Sequence, residues 1–540
     1  MAARKFARSP LRIPADCQTR PSKSIRRMTS WNDGRAPSKM MAFLCFYTSH
    51  STKLESGDCF KSLELTQFAT FVDLVRASPT GDLKSSSYVR VDSLDSARTR
   101  ERRKKATQPG LINHPRMSEL SANLKSSPYE EFDTYDHDAH LFVKLQFLKK
   151  RSKIIEIVAA KDIIFALAHS GLCAAFSRVT NKRLSFLNLS PDEVIRSLFY
   201  NKNNDSLITV SVYASDHFST LKCRTTPIEY IRRDQLDAGF PLFESESLKW
   251  PGFVEFDDVN GKVLTYSAQD GIYKVFDLKN YSFLYSIPDT NVQEIKISPG
   301  IMLLIYDRTP SYVPLRILSI EDGKPLKLFK HLLHRGKKID FIEQFNEKLL
   351  VKQEDENLQI LDVRSSELIE ISIEKFMTPS AFIFLYENNL FLTFRNRTVA
   401  VWNFRGELVT SFEDHLLWHQ DCSTNNIYIT TDQDLIISYC KSDAAADDGT
   451  VMENYLNSSD AHAASSIGSI NMSDIMTGKC IAKIAANDPA LSIAPRKNGS
   501  PSIWSSIPEA LEDVTALFYD EDRNEIYTGN SQGLVHVWSS

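Results

Sequence analysis

The chain has 540 residues, 42% of them hydrophobic and 24% charged, and a net charge of −4. This is a globular composition with apolar material for a large core or for more than one. No apolar run approaches the roughly 20 residues of a membrane-spanning helix, and the eight cysteines stand without a CxxC pair. Reduced intracellular thiols fit that pattern better than a disulfide framework or a zinc site.

Charge is distributed unevenly. Residues 1–116 hold 22 Lys and Arg against 10 Asp and Glu, leaving 42 against 58 for residues 117–540. The basic head opens "MAARKFARSPLRIPADCQTRPSKSIRRMTSW", in which Asp16 is the one acid. Residues 1–31 have the composition of an organelle-targeting segment and equally of a basic arm for acidic partners. Arg102, Arg103, Lys104 and Lys105 form a short cluster of nuclear-signal type. No amphipathic period persists, so 1–116 is read as a disordered extension. Met117 would serve as the start of a soluble protein, and 117–139 reads as an acidic linker. "DTYDHDAH", Asp133 to His140, gathers three Asp and two His but lacks the glycine and spacing of a cation-binding loop.

From residue 140 a single pattern recurs: an alternating strand closing on an aromatic or large apolar residue, then a polar turn and another strand. The strand reads "GLCAAFS" at Phe176, "STLKCR" at Cys223, "GIYKVFDLK" at Phe276 and "PLRILSI" at Leu318. It continues as "NLQILDVR" at Leu361, "TVAVWNFR" at Trp402, "LIISYCK" at Tyr439 and "GLVHVWSS" at Trp538. Most spacings fall near the ~40–45 residues of a four-stranded propeller blade. The prediction is an all-β protein, an eight-bladed β-propeller over 140–540, with seven blades if "STLKCR" is not a unit of its own. The final strand would leave an open edge. "HLFVKLQFL", His140 to Leu148, is a strand without a blade, and pairing it into the C-terminal blade would close the ring. The wide last spacing holds two polar insertions, near 443–468 and 485–513, with "SINMSDIMTGKCIAKI" between them as the return strand of the Tyr439 blade.

These repeats resemble the WD-repeat β-propeller family in degenerate form. Trp402 and Trp538 stand where that family has the Trp of its Trp-Asp pair, although no Asp follows either. His331 and His415 stand in the place of the family's Gly-His pair, and Asp270 precedes Gly271 in the turn where the family has an Asp. The resemblance implies a His–Ser/Thr–Asp–Trp hydrogen-bond network inside some blades. It also implies ring closure by strand exchange between the termini.

No phosphate-binding loop, nucleophile elbow or HExxH helix occurs in the body, so no catalytic residue, metal or cofactor is expected. The pairs His331/His334 and His415/His419 lack the helical spacing that points two imidazoles at one ion. A body with this acidic balance disfavours nucleic acid as a partner. What remains is protein binding: an interaction scaffold of the cytoplasm or nucleus with partners unidentified. An alternative rests on Lys279, Arg364 and Arg405, each two positions after an Asp or Asn that ends a repeat strand. That placement is similar to the motif by which some WD-repeat proteins dock on the adaptor of cullin-type ubiquitin ligases. It would make the chain a substrate receptor.

Overall fold

Short apolar and alternating runs form eight antiparallel propeller blades of four strands each, the inner strands buried on both faces and the outermost ones partly exposed. The computed structural model describes residues 128–135 and 151–539 apart from 246–253, 268–269, 289–290, 380, 387, 396–397, 414, 416–425, 441–467 and 486–504. It also gives the backbone of a hairpin, Ser30–Asp33 with Leu44–Tyr47, which pairs with the first strand of blade 6. The candidate targeting segment, the basic cluster and the strand expected at His140–Leu148 otherwise lie outside the described residues.

Blades 1 to 7 occupy 154–186, 193–245, 254–288, 292–332, 339–371, 381–412 and 427–485. Blade 8 combines Val514–Asp520, Glu525–Asn530 and Leu534–Ser539 with Glu130–Asp133. Each blade is an up-and-down meander, so connections between strands one and two, and three and four, lie on one face of the ring. Connections between strands two and three, and from blade to blade, lie on the other. On the first face every connection is two to five residues long except 228–239 in blade 2, which carries the short helix Ile228–Arg232. The strand ends that bound the long connections 134–153, 413–426, 441–468 and 486–513 all lie on the second face.

The "STLKCR" unit is the third strand of a full blade, which settles the count at eight. Two expectations are corrected. The strand at Tyr439 is the second of blade 7, and Ser469–Asp474 is the third, paired Tyr439↔Ile470, with Cys480–Ala485 outside it. A 28-residue connection between them, 441–468, broke the spacing on which the sequence reading depended. The second insertion is also shorter than expected, because its end, Ile507–Glu512, is a helix. A Ser506–Glu509 capping box starts it, and Ala510 and Leu511 are buried in the core.

The ring closes upstream of the expected strand. Glu130–Asp133 pairs with the C-terminal strand, Glu130↔Val537 through Asp133↔Leu534, inside what reads as an acidic linker. Its sequence, EEFD, hides the signal: only Phe132 is apolar, and it stacks on Phe176 of blade 1 with ring centroids 4.9 Å apart. Glu131 faces buried His536 at 3.3 Å and accepts the Ser505 backbone N–H, and Asp133 Oδ1 accepts from Arg151 Nη1 at 2.9 Å, so both neighbours of Phe132 are tied down too. A core cluster containing Phe132, Phe176, Tyr439, Tyr527 and Trp538 runs continuously through blades 7, 8 and 1. Gly529 marks a close approach of blades 8 and 1, since a Cβ there would lie 2.5 Å from Ile154 Cβ. Gly529→Ala is therefore expected to destabilise the fold by about 1–3 kcal/mol through overpacking, measured by urea unfolding; no change would mean blades 8 and 1 have slack at this seam.

Candidate protein-binding faces

On the first face the turns after strand three share one construction. Asp277 Oδ1 accepts the backbone N–H of Lys279 at 2.8 Å, Asp362 Oδ1 that of Arg364 at 2.8 Å, and Asn403 Oδ1 that of Arg405 at 2.9 Å. These are Asx turns, the geometry in which a short acidic or amide side chain stands in for a backbone carbonyl. The residue between is buried against the neighbouring blade: Leu278, Val363 and Phe404, with Ile320 in blade 4 and Ile475 in blade 7. An anchored apolar residue forces the next one outward. Lys279, Arg364 and Arg405 are accordingly exposed at one equivalent position on blades 3, 5 and 6.

The basic row is not continuous. Blade 4 places Glu321 at that position, paired with Lys262 at 2.8 Å, and blade 7 places Met476 there. Arg364 also meets Glu347 at 2.6 Å. Burial pushes the Asp362 carboxyl up, but Lys348 at 2.7 Å and the N–H groups of Ser365 and Arg364 outweigh it and hold its pKa at about 2. The turn thus stays charged and shaped through the physiological range.

The expected blade residues divide. Trp402 Nε1 donates to Thr393 Oγ1 at 2.9 Å and Trp538 Nε1 to Thr528 Oγ1 at 2.8 Å, each joining strands three and two of its blade. His415 is fully buried, with Nδ1 2.7 Å from Ser438 Oγ and Nε2 2.8 Å from Ser473 Oγ. Ser473 occupies in blade 7 the place that Trp402 holds in blade 6. His331 instead lies on the outer strand of blade 4 and meets Gln359 of blade 5 at 3.0 Å, its pKa lowered by burial. Asp270 belongs to no such network. It is exposed and takes hydrogen bonds from Ser267 and Lys274 within its own turn.

One buried site escaped the sequence reading. At the position where the other blades place Leu278 or Val363, blade 1 has Arg178. Its Nε and Nη2 donate to Glu525 at 3.0 and 2.7 Å across the blade 1–blade 8 seam. Tyr129 and Tyr527 also donate to Glu525, at 3.0 and 2.6 Å. The available signal was a charged residue in an otherwise apolar repeat position. A cleft of about 530 Å³ lies between blades 2 and 3, lined by Phe240, Phe243, Tyr266, Lys274, Phe276 and Tyr281. Among the described residues no group of three or more His, Cys, Asp or Glu could hold a metal ion. No described helix is long and apolar enough to cross a membrane.

A comparison with curated proteins finds no match. Among solved structures, the computationally designed Ika8 protein is 16% identical with a TM-score of 0.41, covering 74% of this chain and 98% of the design. BamB from Moraxella catarrhalis is 13% identical with a TM-score of 0.38, covering 72% of this chain and 98% of its own. Residues 116–538 match the model of a domain of unknown function, DUF7899, a span that takes in the closing strand and all eight blades. The chain belongs to the DUF7899 family and folds as an eight-bladed β-propeller.

Proposed function

We propose that this protein is a non-enzymatic scaffold for protein–protein interaction, working in the cytoplasm or nucleus. The observation that supports this reading most is the first face. Its short turns hold exposed side chains at matched positions, each fixed by a buried neighbour, so partner-facing groups are pre-organised at little entropic cost. Rigid scaffolds with variable exposed turns are where binding residues concentrate, while the fold itself dictates no chemistry.

A narrower reading is favoured by the shared placement of Lys279, Arg364 and Arg405: a substrate receptor docking on a cullin-ligase adaptor. Against it stands Glu321, which would set a carboxylate in the middle of the row. Both readings are tested by affinity purification of the full chain beside the K279E/R364E/R405E variant. Surface changes of this kind are expected to alter stability by no more than about 0.5 kcal/mol each, which thermal unfolding checks. Loss of a cullin adaptor from the variant alone would support the receptor reading. Recovery of the same partners by both would exclude these residues as the docking site and leave the scaffold standing. Recovery of no partner by either would count against both.

A further inference from the structure

The outer strands of the blades differ in what they show to solvent. The outermost strands of blades 1 and 7, Lys182–Phe186 and Cys480–Ala485, expose no large apolar side chain. The outer strand of blade 4, Pro325–Leu332, exposes Leu326, Leu328 and Leu332, the last two at 73% and 75%. Leu328, Lys330 and Leu332 share one side of the sheet and lie in register with Arg316, Pro314 and Tyr312 of the third strand. Phe329 and His331, on the opposite side, turn inward toward blade 5.

The same edge is cationic within a body that carries excess acid. Lys330 lies over the Tyr312 ring at 4.6 Å, and among the described residues neither Lys330, Arg316 nor Arg335 pairs with a carboxylate. A leading proline and a lysine are ordinary protection for a sheet edge. Two leucines three-quarters exposed are the opposite of protection. Self-pairing of two such edges would bring Lys327 and Lys330 of one copy against those of another, which like-charge cross-strand pairing penalises.

We propose that this edge is a docking site for an extended acidic peptide of a partner protein. The peptide adds to blade 4 as a fifth strand. Its main chain bonds the free edge, its apolar side chains cover Leu328 and Leu332, and its carboxylates meet Lys330 and Arg316. This is strand addition, in which the ladder supplies affinity and alternate side chains supply selectivity. The inference rests on the scaffold reading and assigns it a surface and a ligand class.

The test uses the full chain and a fluorescein-labelled synthetic peptide whose alternate positions read Val, Glu, Ile, so that all three side chains fall on the side of Leu328, Lys330 and Leu332, read by anisotropy. Saturable binding is expected, at least 10-fold weaker for R316E/K330E and for L328E, with unfolding temperatures unchanged. A peptide with proline at alternate positions should not bind, and a Lys-for-Glu peptide should bind R316E/K330E better than the natural chain. Absence of binding, or binding indifferent to proline or to the charge swap, overturns the proposal. So does self-association of the natural chain that L328E abolishes, which would make a second copy the occupant. If L328E recovers the same cellular partners as the natural chain, the edge is excluded while the scaffold reading survives.

Discussion

A chain beginning at residue 140 is expected to be insoluble or to unfold without cooperativity, whereas one beginning at residue 117 should fold like the full-length protein. The difference is Glu130–Asp133. Without it, Leu534–Ser539 becomes an open edge and the backbone bonds from Tyr129 N to Val537 O at 2.9 Å and Thr134 N to Gly533 O at 3.2 Å are lost. The space filled by buried Phe132 against Phe176 empties as well. Emptying a Phe site alone costs about 3–5 kcal/mol, a large share of the roughly 5–15 kcal/mol that holds a typical domain folded. Soluble yield, gel filtration and thermal unfolding of the two truncations decide the matter. Cooperative folding of 140–540 would mean that another segment can take the fourth place in blade 8.

Glu525→Leu should destabilise the protein by about 3–5 kcal/mol, because it strands the Arg178 guanidinium, buried to 2% side-chain exposure, without its partner. The double variant R178M/E525L should recover most of that loss, since a buried ion pair replaced by apolar groups of similar volume is often neutral. Urea unfolding of the three proteins measures both effects, and a double variant no better than the single would show that the Tyr129 and Tyr527 hydrogen bonds matter more than the charges. Acid unfolding adds a signed test. Burial alone would raise the Glu525 pKa, but Arg178, Tyr527 and Tyr129 together hold it below the ordinary 4.5. A carboxylate lowered on folding contributes stability above its unfolded pKa and loses it as pH falls through the folded value. The natural chain should therefore weaken below about pH 4.5 by an increment that R178M/E525L lacks.

The fold was legible because spacing and alternation are written in most blades, even where the aromatic residues had drifted. In blade 2 the position of Trp402 is held by Thr226, three residues past the Cys223 that marked the strand in the sequence. Two features were not legible, for different reasons. EEFD carries one apolar residue, since the partner strand with Val535 and Val537 supplies most of the apolar surface, and a four-residue acidic run gives no strand signal on its own. In blade 7, Ser473 replaces the aromatic that ends strand three, so the eye falls on Tyr439 one strand early. Of the candidate site, the turn positions of Lys279, Arg364 and Arg405 could be read from the Asp or Asn two residues before them. The Arg178–Glu525 pair could not, because its partners lie 347 residues apart.

That separation also sets the order in which the molecule can be made. Thr134 and Gly533, which bond each other in the finished ring, are 399 residues apart. At a synthesis rate of about 5–20 residues per second, the closing strand leaves the ribosome roughly 20–80 s before its partner does. Throughout that interval every other blade can assemble while Glu130–Asp133 waits unpaired. Its acidity, which hid it from view in the sequence, is what a waiting strand needs: a charged segment stays hydrated and does not seek the wrong edge.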